Sequence, residues 1–347
     1  MTSTSTVSST STRNRTSTRT RAGRVTLVSA ALVLLLLLAG STRLALGARL
    51  ASPQDIFAVL TGGGRGALRF MILEDRLPAV AAAVLAGAAL ALAGGLFQRL
   101  LRNPLASPDV IGVGFGASAA TVFGMLVLGW GGWLLTGASL LGALLVSGAI
   151  LLMSLGKGDM GARLVLSGIA IGAALSAVVN LLLTRTDVRQ ASDALRWLTG
   201  SVTDVSWEQL AVLAPALLVL FVCAASVARW LGLLELGDDA ARALGVRVTV
   251  ARCAIVGVGA ALCAAAVAVV GPVSFVAFMS HPLATRLLGR RGNLAVTALT
   301  GATLVVVSDL VAAHLFGIGH GLPVGVVTGA LGAVFLLVLL TRERSRA

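Results

Sequence analysis

Ten apolar runs, most of them close to twenty residues long, recur along this chain and constrain it more than any other feature. They fall at about 25–46, 77–98, 109–128, 132–155, 161–183, 207–229, 249–270, 273–288, 293–316 and 323–341. A hydrocarbon layer roughly 30 Å thick takes about 20 apolar residues per helical crossing. The spacing therefore predicts an all-α integral membrane protein with about ten transmembrane helices, 273–288 being the shortest. Composition excludes the soluble alternative: 57% of the 347 residues are hydrophobic and only 12% are charged, against about 25% charged in ordinary soluble domains. So few charges cannot cover a water-facing surface.

The charge that is present is strongly basic, 27 Lys and Arg against 14 Asp and Glu. A basic balance can signal nucleic-acid binding, but its distribution here follows the crossings. Counting them from the N-terminal tail places 19 of the 27 basic residues on the tail's side and 8 on the other. That is the positive-inside bias, so no nucleic-acid partner is needed, and both termini are expected in the cytoplasm of a multi-pass protein. Residues 1–24, rich in Ser, Thr and Arg, are expected to be a disordered cytoplasmic tail, with residues 25–347 forming a single transmembrane domain. The first run reads as a retained anchor. A cleaved signal peptide, processed near Ala45-Leu46-Gly47-Ala48, is the alternative, but the run is longer than a usual signal core.

Three connections carry more information than the crossings. Gln98 to Pro108 forms a predicted cytoplasmic turn with two prolines, which end helices by removing a donor and restricting the preceding residue. His281-Pro282-Leu283-Ala284-Thr285 echoes it at another predicted cytoplasmic end, a hint of an internal repeat of the kind common in transporters. The longest cytoplasmic loop contains Leu236 to Val246. There Asp238 and Asp239 suit a helix N-terminus, Ala240, Ala241 and Ala243 are strong helix formers, and Gly245 suits a C-terminal stop. A short amphipathic helix outside the membrane is predicted, either a solvated connector or a docking surface for a cytoplasmic partner.

Several chemistries are missing. The single lysine, Lys157, is followed by Gly158 where a phosphate loop needs Ser or Thr, so no Walker A pattern exists. Gly112, Gly114 and Gly116 lie in an apolar segment with no strand before them. His281, His314 and His320 are far apart, and Cys223, Cys253 and Cys263 show no metal spacing, so no metal or catalytic cluster is predicted. Asp309 is the one acid inside an apolar run, and such groups are functional by default. It falls toward the outer end of its helix, where hydration or an arginine partner are the plainer readings. The pairs Gly112/Gly116, Gly168/Gly172 and Gly325/Gly329 support close helix packing without assigning a contact.

Taken together, several motifs resemble the iron-chelate and vitamin B12 (FecCD-type) ABC importer permeases. They are Arg76-Leu77-Pro78, Gly87 to Gly94, Gln98-Arg99, Arg102 to Gly112, Trp197 to Ser201, Leu236 to Val246, Gly271 to Ala277, and Leu322 to Thr328, in family order. The resemblance implies the type II importer fold of ten helices in two related halves, as in the vitamin B12 importer permease. It also implies a second permease subunit, two cytoplasmic ATPases that use ATP and Mg, and an external substrate-binding lipoprotein. The chain itself would be a transporter subunit with no cofactor of its own, in the cytoplasmic membrane of a bacterium.

By the same resemblance, Asn103, Pro104, Leu105 and Ala106 form a cytoplasmic gate, with Gly158, Asp159, Met160 and Gly161 as a second constriction. Leu105 would seal the gate and Asn103 would hold the turn by a hydrogen bond. Leu236, Gly237, Asp238, Ala240, Ala241, Leu244 and Gly245 form the coupling helix seated in an ATPase cleft. Arg76 meets acidic residues of the binding protein, and Gly271, Pro272 and Phe275 lie on the translocation pathway. The chain departs from the family pattern at Ala79 and Ala313, where arginines are common, and at Val334, where a proline is common. These asymmetries point to pairing with a different paralogue rather than a homodimer. The expected cargo is a ferric siderophore, with heme or cobalamin as the family alternatives. An ion-coupled carrier, which has no ATPase for a coupling helix to engage, is the reading outside the family, followed by an integral-membrane enzyme.

Overall fold

The computed structural model describes residues 9–46, 50–63, 66–109, 112–155, 160–289, 292–314 and 322–344, and among these there is no strand. The elements are α1 (Ser9–Ala45), α2 (Pro53–Leu60), α3 (Ala67–Phe70), a π-helical turn (Met71–Arg76), α4 (Leu77–Leu100), α5 (Val113–Leu126), α6 (Trp133–Ser154) and α7 (Met160–Thr184). They continue as α8 (Val188–Thr199), α9 (Trp207–Leu234), α10 (Asp238–Ala243), α11 (Val248–Val270), α12 (Val276–Leu288), α13 (Leu294–His314) and α14 (Val324–Arg344). All ten expected apolar helices are present, and seven are long and apolar enough to cross a membrane. The others are α5, α12 and α14, whose apolar part is Val324–Leu339. The backbone of the expected disordered tail continues α1 back to Ser9, since extending a formed helix is far easier than nucleating one. The short helices α2, α3 and α8 lie in connections for which the apolar pattern predicts nothing.

Helix α4 is the centre of the bundle, packing against α9, α11, α12 and α13. Lipid tails are as apolar as leucine, so helices in a membrane associate through close packing rather than hydrophobic expulsion. Helix α4 is built for this: Ala79, Ala82, Ala83, Ala86, Ala89, Ala91 and Ala93 are all fully buried. At Gly87 the backbones of α4 and α13 nearly touch, and a Cβ there would lie 2.5 Å from the Gly301 carbonyl oxygen. This contact involves none of the three GxxxG pairs. Of those pairs, Gly116 packs on Gly142 of α6, Gly172 on the Phe115 ring and Gly325 on Thr199, while Gly329 faces open space.

Two expectations about proline turns change. The turn after α4 is longer and deeper than the apolar run suggested: Ala106, Ser107 and Pro108 are buried and α5 starts at Val113 with only 14 residues. Just before it, Gly112 sits against Ile150 of α6 and the Gly168 backbone of α7, about two helical turns beyond the start of α7. The chain thus re-enters the bundle as non-helical backbone, which is tolerated at membrane depth only when protein surrounds it.

Pro282, in contrast, does not end its helix but lies inside α12. Proline has no N–H, so the carbonyl four residues earlier, Phe278, loses its helical partner. Gln98 Nε2 of α4 donates to that carbonyl at 2.9 Å, and α12 continues to Leu288. The two Pro-Leu-Ala sequences therefore share residues but not conformation.

Asp309 is paired. Arg43, on the last turn of α1, places Nε 2.7 Å from its Oδ2, and both side chains are almost completely buried. At the other end of the span, Arg24 Nε donates to the Leu287 carbonyl of α12 at 3.2 Å. Helix α1 is thus tied into the bundle at both ends and packs along α13 between them. Removing one partner of a buried ion pair typically costs about 3–5 kcal/mol, whereas replacing both by apolar groups is close to neutral. Arg43→Leu should accordingly lower the melting temperature of the detergent-purified protein sharply, and Arg43→Leu combined with Asp309→Leu should restore most of it. Equal melting temperatures for the wild type and the single variant would show that the pair does not hold α1.

Candidate functional site

Ten alternating helices bring the turns after α4, α6, α9 and α12 to one end of the bundle. At that end a cavity of about 880 Å³ is lined by three residues expected for the gate, Asn103, Met160 and Gly161, and two expected for coupling, Gly237 and Asp238. Leu100, Arg102 and Arg252 line it as well. Gly158 and Asp159 lie outside the described residues.

The turn expected to form the gate is fixed by its own hydrogen bonds. Asn103 N–H donates to Gln98 O at 3.1 Å and Arg102 N–H to Arg99 O at 3.3 Å, the two bonds of a Schellman cap. Asn103 Oδ1 then accepts from Leu105 N–H at 2.9 Å, which is the turn-holding role expected of it. Pro104 and Leu105 stand exposed beyond the turn, and Ala106 is buried. The Schellman cap requires its second residue in the left-handed region, normally a glycine. Arg102 occupies it with φ 51°, a conformation that costs about 1–2 kcal/mol for a residue with a Cβ.

The predicted amphipathic helix is present as α10 (Asp238–Ala243), capped by Gly237 at φ 109° and followed by Gly245 at φ 82°. Its faces differ from the expectation at two positions. Ala241 is fully buried against the bundle, so it seats the helix. Asp238 is turned inward as well, with Oδ1 2.8 Å from Arg252 Nη2 of α11. The outward surface is formed by Leu236 and Leu244, at 62% and 60% exposure, with Ala240 and Gly245 also exposed. Two exposed leucines on a short polar loop are the apolar part of this surface.

At the opposite end, motifs distant in sequence meet backbone to backbone. Ser201 N–H donates to Val270 O at 2.8 Å and Gly325 N–H to Gly200 O at 3.3 Å. A Cβ on Gly271 would come within 2.7 Å of the Trp197 carbonyl oxygen, and one on Gly200 within 2.7 Å of that of Pro272. Phe275, expected on the pathway, is half-buried. Its ring meets Phe278 edge-on at 6.0 Å and fills the space left by Gly332 of α14. Phe275 also takes a left-handed φ of 64°, so this start of α12 is strained. Arg76 is buried too, at 2% exposure. It donates from Nη1 to the Leu44 carbonyl at 2.6 Å, inside the chain rather than on an outward docking face.

The family model of the FecCD transport family matches residues 31–342. This chain belongs to the FecCD transport family. The ferric enterobactin transport system permease protein FepG of Escherichia coli (strain K12) is 37% identical over 91% of this chain and 94% of its own length. The achromobactin transport system permease protein CbrC of Dickeya dadantii (strain 3937) is 36% identical over 93% and 92%. A metal-chelate type ABC transporter solved in an inward-facing conformation superposes with a TM-score of 0.81 at 27% identity, covering 91% of this chain and 99% of that one. The type II importer permease fold is therefore the fold of this FecCD chain. Sequence reasoning had no role for Arg43, Glu235 or Arg252. The available signal was weak: each is a charge at or near the end of an apolar run, and the partners of Arg43 and Glu235 are 266 and 136 positions away.

The two faces of α10 give a direct test. Leu244→Glu, on the exposed face, should leave the yield and elution profile of the detergent-extracted protein unchanged. Ala241→Glu, which buries a charge without a partner, should cause loss of the monodisperse peak. Equal behaviour of the two variants would contradict the orientation of α10.

Proposed function

We propose that this FecCD chain is the membrane-spanning permease subunit of an ATP-driven importer that carries a ferric siderophore across the bacterial cytoplasmic membrane. The observation that carries the reading is the cavity at one end of the bundle, lined both by Asn103 of the turn after α4 and by Gly237 and Asp238 at the start of a short helix with two exposed leucines beside it. The basic-rich end faces the cytoplasm, as the positive-inside rule favours. Two cytoplasmic ATPases engage the Leu236, Ala240 and Leu244 face. The siderophore assignment rests on the cargo named for the enterobactin and achromobactin relatives.

This chain breaks no bond in such a cycle. ATP and Mg act on the partner ATPases, and their closure displaces α10 as a rigid body. The bundle then shifts between two packings of which ATP favours one. A bulky chelate delivered by an external lipoprotein passes when the gate turns of two permease subunits part, with exposed Leu105 closing the resting pathway. Alanines at positions 79 and 313 and the burial of Arg76 leave this subunit without an outward arginine at the three motif positions for which the resemblance implies docking. Pairing with a different paralogue that supplies those docking groups follows naturally.

Cells with and without this subunit should differ in uptake of radioactive iron supplied as one class of ferric siderophore, and take up heme and labelled cobalamin equally. Loss of heme or cobalamin uptake alone would move the cargo to that alternative; unchanged uptake of all would count against the import role in those cells. In the reconstituted importer, Leu105→Ala should raise cargo leak without ATP at least several-fold. A leak equal to wild type would make Leu105 ordinary surface.

A further inference from the structure

Arg102 poses a question that helix capping does not answer. Its backbone position is one where glycine is at ease, and its φ of 51° strains any other residue, so the side chain must have a use. That side chain crosses to α9, where Nη2 donates to the Leu234 carbonyl at 2.5 Å. Leu234 is buried and is the last residue of α9, and the coupling helix begins four residues later. One turn earlier on α4, Arg99 reaches the next residue of the same hinge: its Nε and Nη2 lie 2.9 and 2.8 Å from Glu235 Oε1. Two arginines at the negative end of α9 are electrostatically favoured, and both leave α4 immediately before the gate turn.

We infer that Arg102 and Arg99 form a clasp that makes the gate turn and the coupling helix one mechanical unit. The inference rests on the ABC importer reading and adds the transmission residues. On the hinge side, the Asp238–Arg252 pair and buried Ala241 seat α10 on α11. On the gate side, the Schellman bonds and the Asn103–Leu105 bond hold the turn rigid. Besides the apolar packing of α4 on α9 and α11, the clasp is the polar link between the two among the described residues, so a displacement of α10 reaches Asn103 through Leu234 and Glu235. Arg102 and Arg99 are positioning residues: they move the gate without touching cargo.

The clasp is tested in the complete importer, with its ATPases and partner permease, by a readout that needs no cargo. A cysteine placed by Leu105→Cys, in a background where Cys223, Cys253 and Cys263 are replaced, is labelled with a membrane-impermeant maleimide with and without ATP and vanadate. With the clasp intact, trapping should change the labelling rate at least five-fold. Arg102→Gly relieves the backbone strain and deletes the side chain; it should keep the melting temperature at or above that of the parent and retain ATP hydrolysis, yet reduce the ATP-dependent change to less than two-fold. Arg102→Lys keeps a donor and should restore most of the response. Arg99→Glu should weaken it, and adding Glu235→Arg should recover it. A full response in Arg102→Gly would overturn the clasp while leaving the importer reading intact. No ATP response in the parent would instead sink the ATP-coupled gate, and the clasp with it.

Discussion

The architecture depends on how closely α4 can approach its neighbours. In water, apolar faces are driven together whatever their shape, but in lipid that drive vanishes and only dense contact between backbones compensates. A stripe of fully buried alanines and the near-contact of Gly87 with Gly301 supply it. Four helices are placed relative to this one element, and its two ends lead directly to buried Arg76 and to the turn that holds Asn103. Changes along α4 are therefore felt at both faces of the membrane.

Polar groups within such a bundle need partners, because no water reaches them, and the pairings found here are the joints of the structure. Pro282 frees the Phe278 carbonyl and Gln98 takes it; Asp309 lies among apolar helices and Arg43 neutralises it; the Leu234 carbonyl ends α9 and Arg102 accepts the strain needed to reach it. Each joint links α4 or α1 to a distant helix. Gln98, Arg99 and Arg102 sit at and just past the end of α4, so this end links α12, the end of α9 and the turn that follows α4.

Family membership accounts for the motifs, and the structure gives several of them a physical task. Trp197–Ser201, Gly271–Pro272 and Gly325 are one backbone junction rather than three separate signals. Gly332 is the space into which Phe275 packs. Gly237 and Gly245 bracket α10 because both take positive φ. Buried Arg76 and inward-facing Ala241 show that a motif position can serve the fold where a partner contact was expected.

The sequence alone determined the solvent of this protein, the order of its ten apolar helices, the charge bias between its two ends, the short helix at Asp238–Ala243 and its family. These are local or additive properties: apolar length, counts of Arg and Lys, and residues adjacent in the chain. Which face of each helix turns inward was not legible, because a helix apolar all round carries no stripe to read. Nor were the pairings, since Arg43 and Asp309 are 266 positions apart, Gln98 and Phe278 180, and Arg102 and Leu234 132. The tertiary structure decided these, because a buried charge or an orphaned carbonyl specifies only that a partner must come, and the packing around α4 determines which side chain is within reach.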